Sequence, residues 1–248
     1  MPGRWYEDQI AGHLVDCFEP DQVHPHGFTV IYLHDAGHAR LIDNPVFTQW
    51  FNQHGLRVAA PQGGPGWWTD RICPAFDPAC SAERHVVERV LPSLAERWEV
   101  QPPQIALCGV SMGGQGALRL SFKYPDRFPV VAAIAPAIDY QVLIDEGDET
   151  LWAMYGGDRE RARQDTATLH VHPLNWPRHT WFCCDPTDAS WYESVERLQM
   201  KLSSLGIPHA CDLETSAGGH SWAYFNHMAE RAIAFVMHAL ERERLRVV

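Results

Sequence analysis

Runs of four to six apolar residues alternate with longer stretches in which apolar positions return every three or four residues. Phe28-Thr29-Val30-Ile31-Tyr32-Leu33 is the clearest run. With almost no polar position, it reads as a strand buried on both faces, as in a parallel sheet. Leu56 to Ala60, Ile105 to Cys108, Val130 to Ala135 and Thr180 to Cys184 read the same way. Gly12 to Phe18 alternates weakly and predicts an exposed early strand. His209 to Leu213 is the last candidate.

Amphipathic stretches fill the gaps. Val86, Val87, Val90, Leu91, Leu94 and Trp98 recur at helical spacing, and Pro92 should kink that helix because it lacks an N–H and crowds the preceding turn. Trp191, Val195, Leu198, Leu202 and Leu205 form a second stripe, closed by Gly206. Phe225, Met228, Ile233, Val236, Met237 and Leu240 line a third. Strands alternating with helices predict an α/β fold: a mostly parallel central sheet with helices on both faces. No repeat, linker or low-complexity tract divides the chain, so residues 1–248 read as a single domain. The least regular part, about 138–176, is charged and carries Trp152, Met154 and Tyr155. It reads as a lid-like insertion over the carboxyl edge of the sheet, where open α/β sheets bind ligands.

Composition narrows the function. The 248 residues are 46% hydrophobic and 21% charged, with a formal net charge of −11. Such acidity argues against a nucleic-acid partner. The Arg-rich runs at 159–163 and 242–246 read as solvated helix surface. No stretch reaches the ~18 apolar residues that span a bilayer, and the first residues lack a signal-peptide core. Seven cysteines, an odd number without framework spacing, fit a reducing, cytoplasmic setting. Cys73 and Cys80 are the one pair that secretion would suggest. Fourteen histidines invite a metal reading. Neither His24-Pro25-His26 nor His170-Val171-His172 has metal-ligand spacing, and His34 and His38 flank a glycine turn, so no metal is expected.

The sharpest chemical signal is Gly109-Val110-Ser111-Met112-Gly113. A G-x-S-x-G pentapeptide arises by chance in many loops. Here the apolar strand Ile105–Cys108 precedes it and a helix start at Gly114–Leu120 follows. That context places Ser111 on a tight strand-to-helix turn with its hydroxyl clear of the sheet. A serine needs a base to take its proton, and in this arrangement the acid and then the histidine follow in chain order. His220, in Ser216-Ala217-Gly218-Gly219-His220, lies between the last strand and the last helix. The loop Asp185-Pro186-Thr187-Asp188 offers two acids. Asp185-Pro186 also reads as a turn starter and Asp188 as a helix cap; Asp188 is preferred. Oxyanion donors are expected from the backbone N–H groups of Met112 and, after the early strand, Ala36. Trp67 and Trp68, following Gly63-Gly64-Pro65-Gly66, either stack on an aryl or sugar group or pack in the core. Arg71 either binds a carboxylate or pairs with Asp70 or Asp77. Trp222 is expected to wall the site.

The chain resembles the α/β-hydrolase esterase family that includes S-formylglutathione hydrolase (esterase D), feruloyl esterases and mycolyltransferases. The resemblance rests on Ile31-Tyr32-Leu33-His34, Gly109 to Gly114, Thr187-Asp188, Gly218 to Trp222 and Glu88 to Pro92, and spans about 28–240. It implies the α/β-hydrolase fold, favours Asp188 as the acid, and implies serine esterase activity on a small-molecule ester without a cofactor. Thioesterase or peptidase activity uses the same triad, and a non-catalytic binding protein of this fold is the alternative from another class. Two positions depart from the family, which usually has Gly where this chain has Asp35 and Asp185. An aspartate beside an oxyanion hole opposes the developing charge unless its carboxylate turns away. The Gly-Leu-Thr-Cys signature of S-formylglutathione hydrolase is missing, which argues against that specific activity.

Overall fold

The computed structural model describes residues 3–246. Its strands are β1 (Arg4–Ile10), β2 (His13–Glu19), β3 (Thr29–Leu33), β4 (Arg57–Pro61), β5 (Ile105–Val110), β6 (Val130–Ile134), β7 (His179–Cys183) and β8 (Ala210–Asp212). They form one sheet in the order β1-β2-β4-β3-β5-β6-β7-β8. The β1–β2 and β2–β4 pairs are antiparallel and every other pair is parallel. The helices are α1 (Pro45–Gln53), α2 (Ala82–His85), α3 (Leu91–Trp98), α4 (Met112–Lys123), α5 (Val142–Asp145), α6 (Glu149–Tyr155), α7 (Arg159–Arg163), α8 (Ala167–His170), α9 (Tyr192–Ser204) and α10 (Trp222–Arg246).

The central strands are apolar on both faces because both faces are covered. Ile31, Leu33, Ile105, Leu107, Val131 and Ala133 point into one core with α3, α4 and α9. Their neighbours Val30, Tyr32, Ala106, Cys108, Val130 and Ala132 point into the other, against Phe47 and Phe51 of α1 and the apolar stripe of α10. Burying each large side chain contributes roughly 1.5–3 kcal/mol. No helix is long and apolar enough to cross a membrane among the described residues.

Four features differ from the sequence reading or sharpen it. The first strand, β1, has no counterpart in the sequence reading. At the sheet edge it shows only a broken alternation, and it pairs with β2 through a two-residue turn, Ala11-Gly12, with φ of 51° and 84° at the two positions. Because β1 covers it, β2 is not exposed: Val15 to Phe18 are buried. Its Asp16 is fully buried and is tolerated there because Arg40 donates to both carboxylate oxygens. The kink at Pro92 takes a specific form, a π-helical turn at Val86–Val90 between α2 and α3. That wider turn absorbs the missing proline N–H. Segment 138–176 holds four short helices, α5 to α8, rather than irregular chain.

Candidate active site

Ser111 sits one residue past β5 and caps α4 with φ 54° and ψ −120°, a backbone conformation that L-residues adopt only under strain. Two bonds pin it there. Its N–H donates to the Ile134 carbonyl at 3.0 Å, and its own carbonyl accepts from Ala137 N–H at 3.1 Å. The turn is tight enough that only glycine fits around it. A Cβ on Gly109 would lie 2.3 Å from the Gly113 oxygen. The helix begins at Met112, earlier than the sequence suggests, so the first N–H groups of α4 point at the space beside Ser111 without intrahelical acceptors.

Three side chains from three loops at the carboxyl ends of the strands meet in one line. The Ser111 Oγ lies 2.8 Å from His220 Nε2, and His220 Nδ1 lies 2.7 Å from Asp188 Oδ2. A proton on Nδ1, donated to the carboxylate, leaves Nε2 free to accept from the serine. Asp188 is fixed on its other side, where Oδ1 accepts from the N–H groups of Ser190 and Trp191 at 3.0 and 3.1 Å. Burial pushes the Asp188 carboxyl up, but the His220 hydrogen bond and charge and the two backbone donors outweigh it, so it lies below its ordinary range. It is an anion at neutral pH. Ser111 is nearly buried, with 7% exposure, and lines a surface cavity.

The loop after β3 lies across from α4. Ala36 and Met112 both face the same cavity as Ser111. Asp35 does not turn toward it. Its Oδ1 accepts from Ala39 N–H at 2.9 Å, which closes the 35–39 turn. The preceding residue, His34, is buried and neutral. Its Nδ1 donates to the Asp35 carbonyl at 2.7 Å and its Nε2 accepts from Gly63 N–H at 3.0 Å. Burial pushes its pKa down to about 4, with the Asp35 hydrogen bond opposing. His34 thus ties this loop to the loop after β4, a role that residue pattern alone does not announce. No group of three or more His, Cys, Asp or Glu is placed to hold a metal among the described residues.

The cavity over Ser111 has a volume of about 280 Å³. Trp67, Trp191, Leu143 and Pro65 supply apolar wall, while His38, Asp148 and Thr150 supply polar wall. Leu143, Asp148 and Thr150 come from the 138–176 segment. The paired tryptophans divide between the two readings. Trp67 lines the cavity and stacks on Tyr140 at 4.8 Å. Trp68 is fully buried, donates from Nε1 to the His34 carbonyl at 3.2 Å, and packs where a Cβ on Gly116 would meet it at 2.5 Å. It is core, not a substrate contact. Trp222 also lies off the cavity wall, packed against Phe47 and Phe225 at the start of α10. Helical phase decides this: the first turn of α10 faces α1, and His220 before it faces the site. Trp191 takes the place expected of Trp222. Just before α9, it reads in the sequence only as part of a helical stripe. Arg71 pairs with neither Asp70 nor Asp77. Its guanidinium lies over the Tyr155 ring and 3.9 Å from Asp165.

A buried ionic group supports the cavity from behind. Arg119 on α4 pairs with Glu83 and Asp165, and Asp165 accepts from Tyr155 OH at 2.9 Å. Tyr155 and Tyr140 share a hydrogen bond of 2.8 Å, and Tyr140 carries Trp67. The helix that Ser111 caps is thereby coupled through 138–176 to the cavity wall.

The chain matches the "Putative esterase" family over residues 20–234. Among curated proteins it is 29% identical over 203 residues to the diacylglycerol acyltransferase/mycolyltransferase Ag85A of Mycobacterium leprae, covering 74% of this chain and 61% of that protein. The chain thus spans less than two thirds of the length of that relative. Among solved structures it resembles FphF, a fluorophosphonate-binding serine hydrolase of Staphylococcus aureus, with a TM-score of 0.79 at 16% identity over 96% of this chain and 99% of that one. An S-formylglutathione hydrolase from Agrobacterium tumefaciens superposes with a TM-score of 0.76 at 16% identity, covering 96% and 94% of the two chains. These likenesses show the α/β-hydrolase fold. Since the family match takes in every element that positions Ser111, Asp188 and His220, the chain belongs to the Putative esterase family.

Proposed function

We propose that this protein is a serine esterase that cleaves small carboxylic esters through an acyl-enzyme on Ser111. The observation that carries the reading is the continuous line from Ser111 Oγ through His220 to Asp188. His220 Nε2 takes the Ser111 proton as Oγ attacks the ester carbonyl. Asp188 holds the Nδ1–H and balances the imidazolium. The carbonyl oxygen becomes an oxyanion held by the N–H groups of Met112 and Ala36. Collapse breaks the ester C–O bond, and His220 returns its proton to the leaving alkoxide. Water then attacks the acyl-enzyme with His220 again as base, which frees the acid and restores Ser111. The residues supply every proton transfer, so the reaction draws on no cofactor.

Trp67, with Trp191, Leu143, Asp148 and Thr150, is the substrate wall in this reading, and 138–176 is the lid-like insertion of one domain spanning 1–248. A cavity of about 280 Å³ suits a small-molecule ester rather than a long acyl chain. The cysteine pattern supports a cytoplasmic setting, and all seven thiols are free in the structure. The test is Ser111→Ala with a short p-nitrophenyl ester and a fluorophosphonate probe. Hydrolysis and labelling should both vanish. Turnover at the wild-type rate in clean mutant protein overturns the reading.

A further inference from the structure

Asp185 shares a loop with Asp188 but stands outside the Ser111–His220–Asp188 line. It follows Cys184, two residues past the end of β7, and is itself fully buried. Its Oδ1 accepts from the Thr187 N–H and hydroxyl at 2.8 and 2.7 Å, and from the Ser216 hydroxyl at 3.0 Å. Its Oδ2 accepts from the N–H groups of Ala217 and Gly219 at 2.7 and 2.9 Å, with Ser216 also within 3.2 Å. Among the described residues no cation pairs with it; every donor is neutral. Burial pushes the carboxyl up, yet the Thr187, Ala217 and Gly219 donors together hold it well below the usual carboxylate range, so it is a buried anion.

A turn between β7 and α9 has no need of such a group. Among the described residues, Thr187 is the carboxylate's one partner within that turn. The other donors belong to the loop between β8 and α10, which carries His220 and has no regular structure from 213 to 221. Gly218 and Gly219 have φ of +106° and +65°, so this backbone is pliable where its position matters most. Asp185 grips it at Ser216 and Ala217 and again at Gly219, the residue before His220. The two loops that must bring acid and base together are joined through this one carboxylate.

We propose that Asp185 is a positioning residue that clamps the base loop to the acid loop and so sets the His220 ring between Ser111 and Asp188. The role rests on the serine-esterase reading above. It acts on the reacting geometry and leaves the substrate wall alone. Losing it displaces an imidazole that must be held within a fraction of an ångström, and misplacement by about 1 Å costs on the order of 10²-fold in rate.

The test compares wild type, Asp185→Asn and Ser216→Ala. Asparagine keeps the shape but sets an NH₂ group against N–H donors, while Ser216→Ala removes one bond and leaves the fold least disturbed. The readouts are kcat and KM on a short p-nitrophenyl ester, the rate of fluorophosphonate labelling, and the low-field proton resonance of the His220 Nδ1–H···Asp188 bond. In Asp185→Asn, kcat and labelling should fall by about ten- to a hundred-fold with KM within about threefold, and the resonance should shift or broaden. Ser216→Ala should show a smaller loss of the same kind. If Asp185→Asn does not fold, Ser216→Ala decides alone. A labelled wild type with both variants unchanged in kcat and resonance, or variants that lose only thermal stability, overturns the clamp. A wild type that neither hydrolyses esters nor takes the probe overturns the esterase reading, and the clamp with it.

Discussion

A Cβ on Gly113 would lie 1.9 Å from the carbonyl oxygen of Leu33. The first turn of α4, which presents Met112 N–H, thus rests directly on the end of β3, which presents Ala36. The two proposed oxyanion donors are held at a fixed separation by a backbone contact that only glycine permits.

Gly113→Ala should therefore damage catalysis more than stability. The contact is with backbone, so β3 and α4 must part by over an ångström. Overpacking of this sort costs typically 1–3 kcal/mol. The donors separate by the same displacement, and losing one donor costs about 10²–10³ in turnover. Measuring kcat and the unfolding midpoint of the soluble variant checks both. Near-wild-type kcat would show that the helix start and the early loop need not touch for the reaction to run.

The sheet and the hydrogen-bonded line of Ser111, His220 and Asp188 were legible because each has a strong local signal. Apolar runs such as Phe28 to Leu33 have nowhere to lie but a doubly covered strand, and the order of Ser111, Asp188 and His220 follows chain order in this fold. What escaped lacks a local signal. β1 is half solvated and gains its place only by pairing with β2. Trp68 and Trp222 could not be told from Trp67 and Trp191, because four tryptophans near one site differ only in which way each backbone turns them. Trp67 and Trp68 both have positive φ, 52° and 55°, a condition that no composition rule foretells. Asp185 reads in the sequence as a turn starter because its partners at 216–219 lie some thirty residues on.

His34 makes the active-site loops sensitive to acid. Burial lowers its pKa from 6.5 to about 4, and buried His85, whose two ring nitrogens find no hydrogen-bond partner among the described residues, is also pushed to about 4. The unfolded chain binds more protons between those values, so each histidine's contribution is complete above pH 6.5 and is lost as pH falls toward 4. For His34 the full difference is on the order of 3 kcal/mol. Wild type should lose stability steeply over this range, and His34→Gln, less stable at pH 7.5, should lose less. Denaturant midpoints at pH 7.5 and 5 measure this. Equal losses in the two proteins would mean that His34 does not control the acid response.

The cavity wall includes Asp148 and no Lys or Arg. Asp148 also caps α6, its Oδ1 accepting from Leu151 N–H at 2.8 Å, so Asp148→Asn removes the charge and keeps the cap. A single carboxylate about 4 Å from a substrate charge in a water-filled cavity contributes about 1 kcal/mol, a factor of about five. The indoles of Trp67 and Trp191 add attraction for a cation lying against a ring face. A choline ester should therefore be hydrolysed with a several-fold higher kcat/KM than its neutral 3,3-dimethylbutyl isostere, and a succinate half-ester with a lower one. The preference should shrink in Asp148→Asn and in high salt, which screens a charge that is only half-buried. The comparison needs only those three esters, two proteins and two salt concentrations. If wild type treats the cationic and neutral isosteres alike, Asp148 serves α6 alone, and selectivity must come from the shape of the space between Trp67 and Trp191.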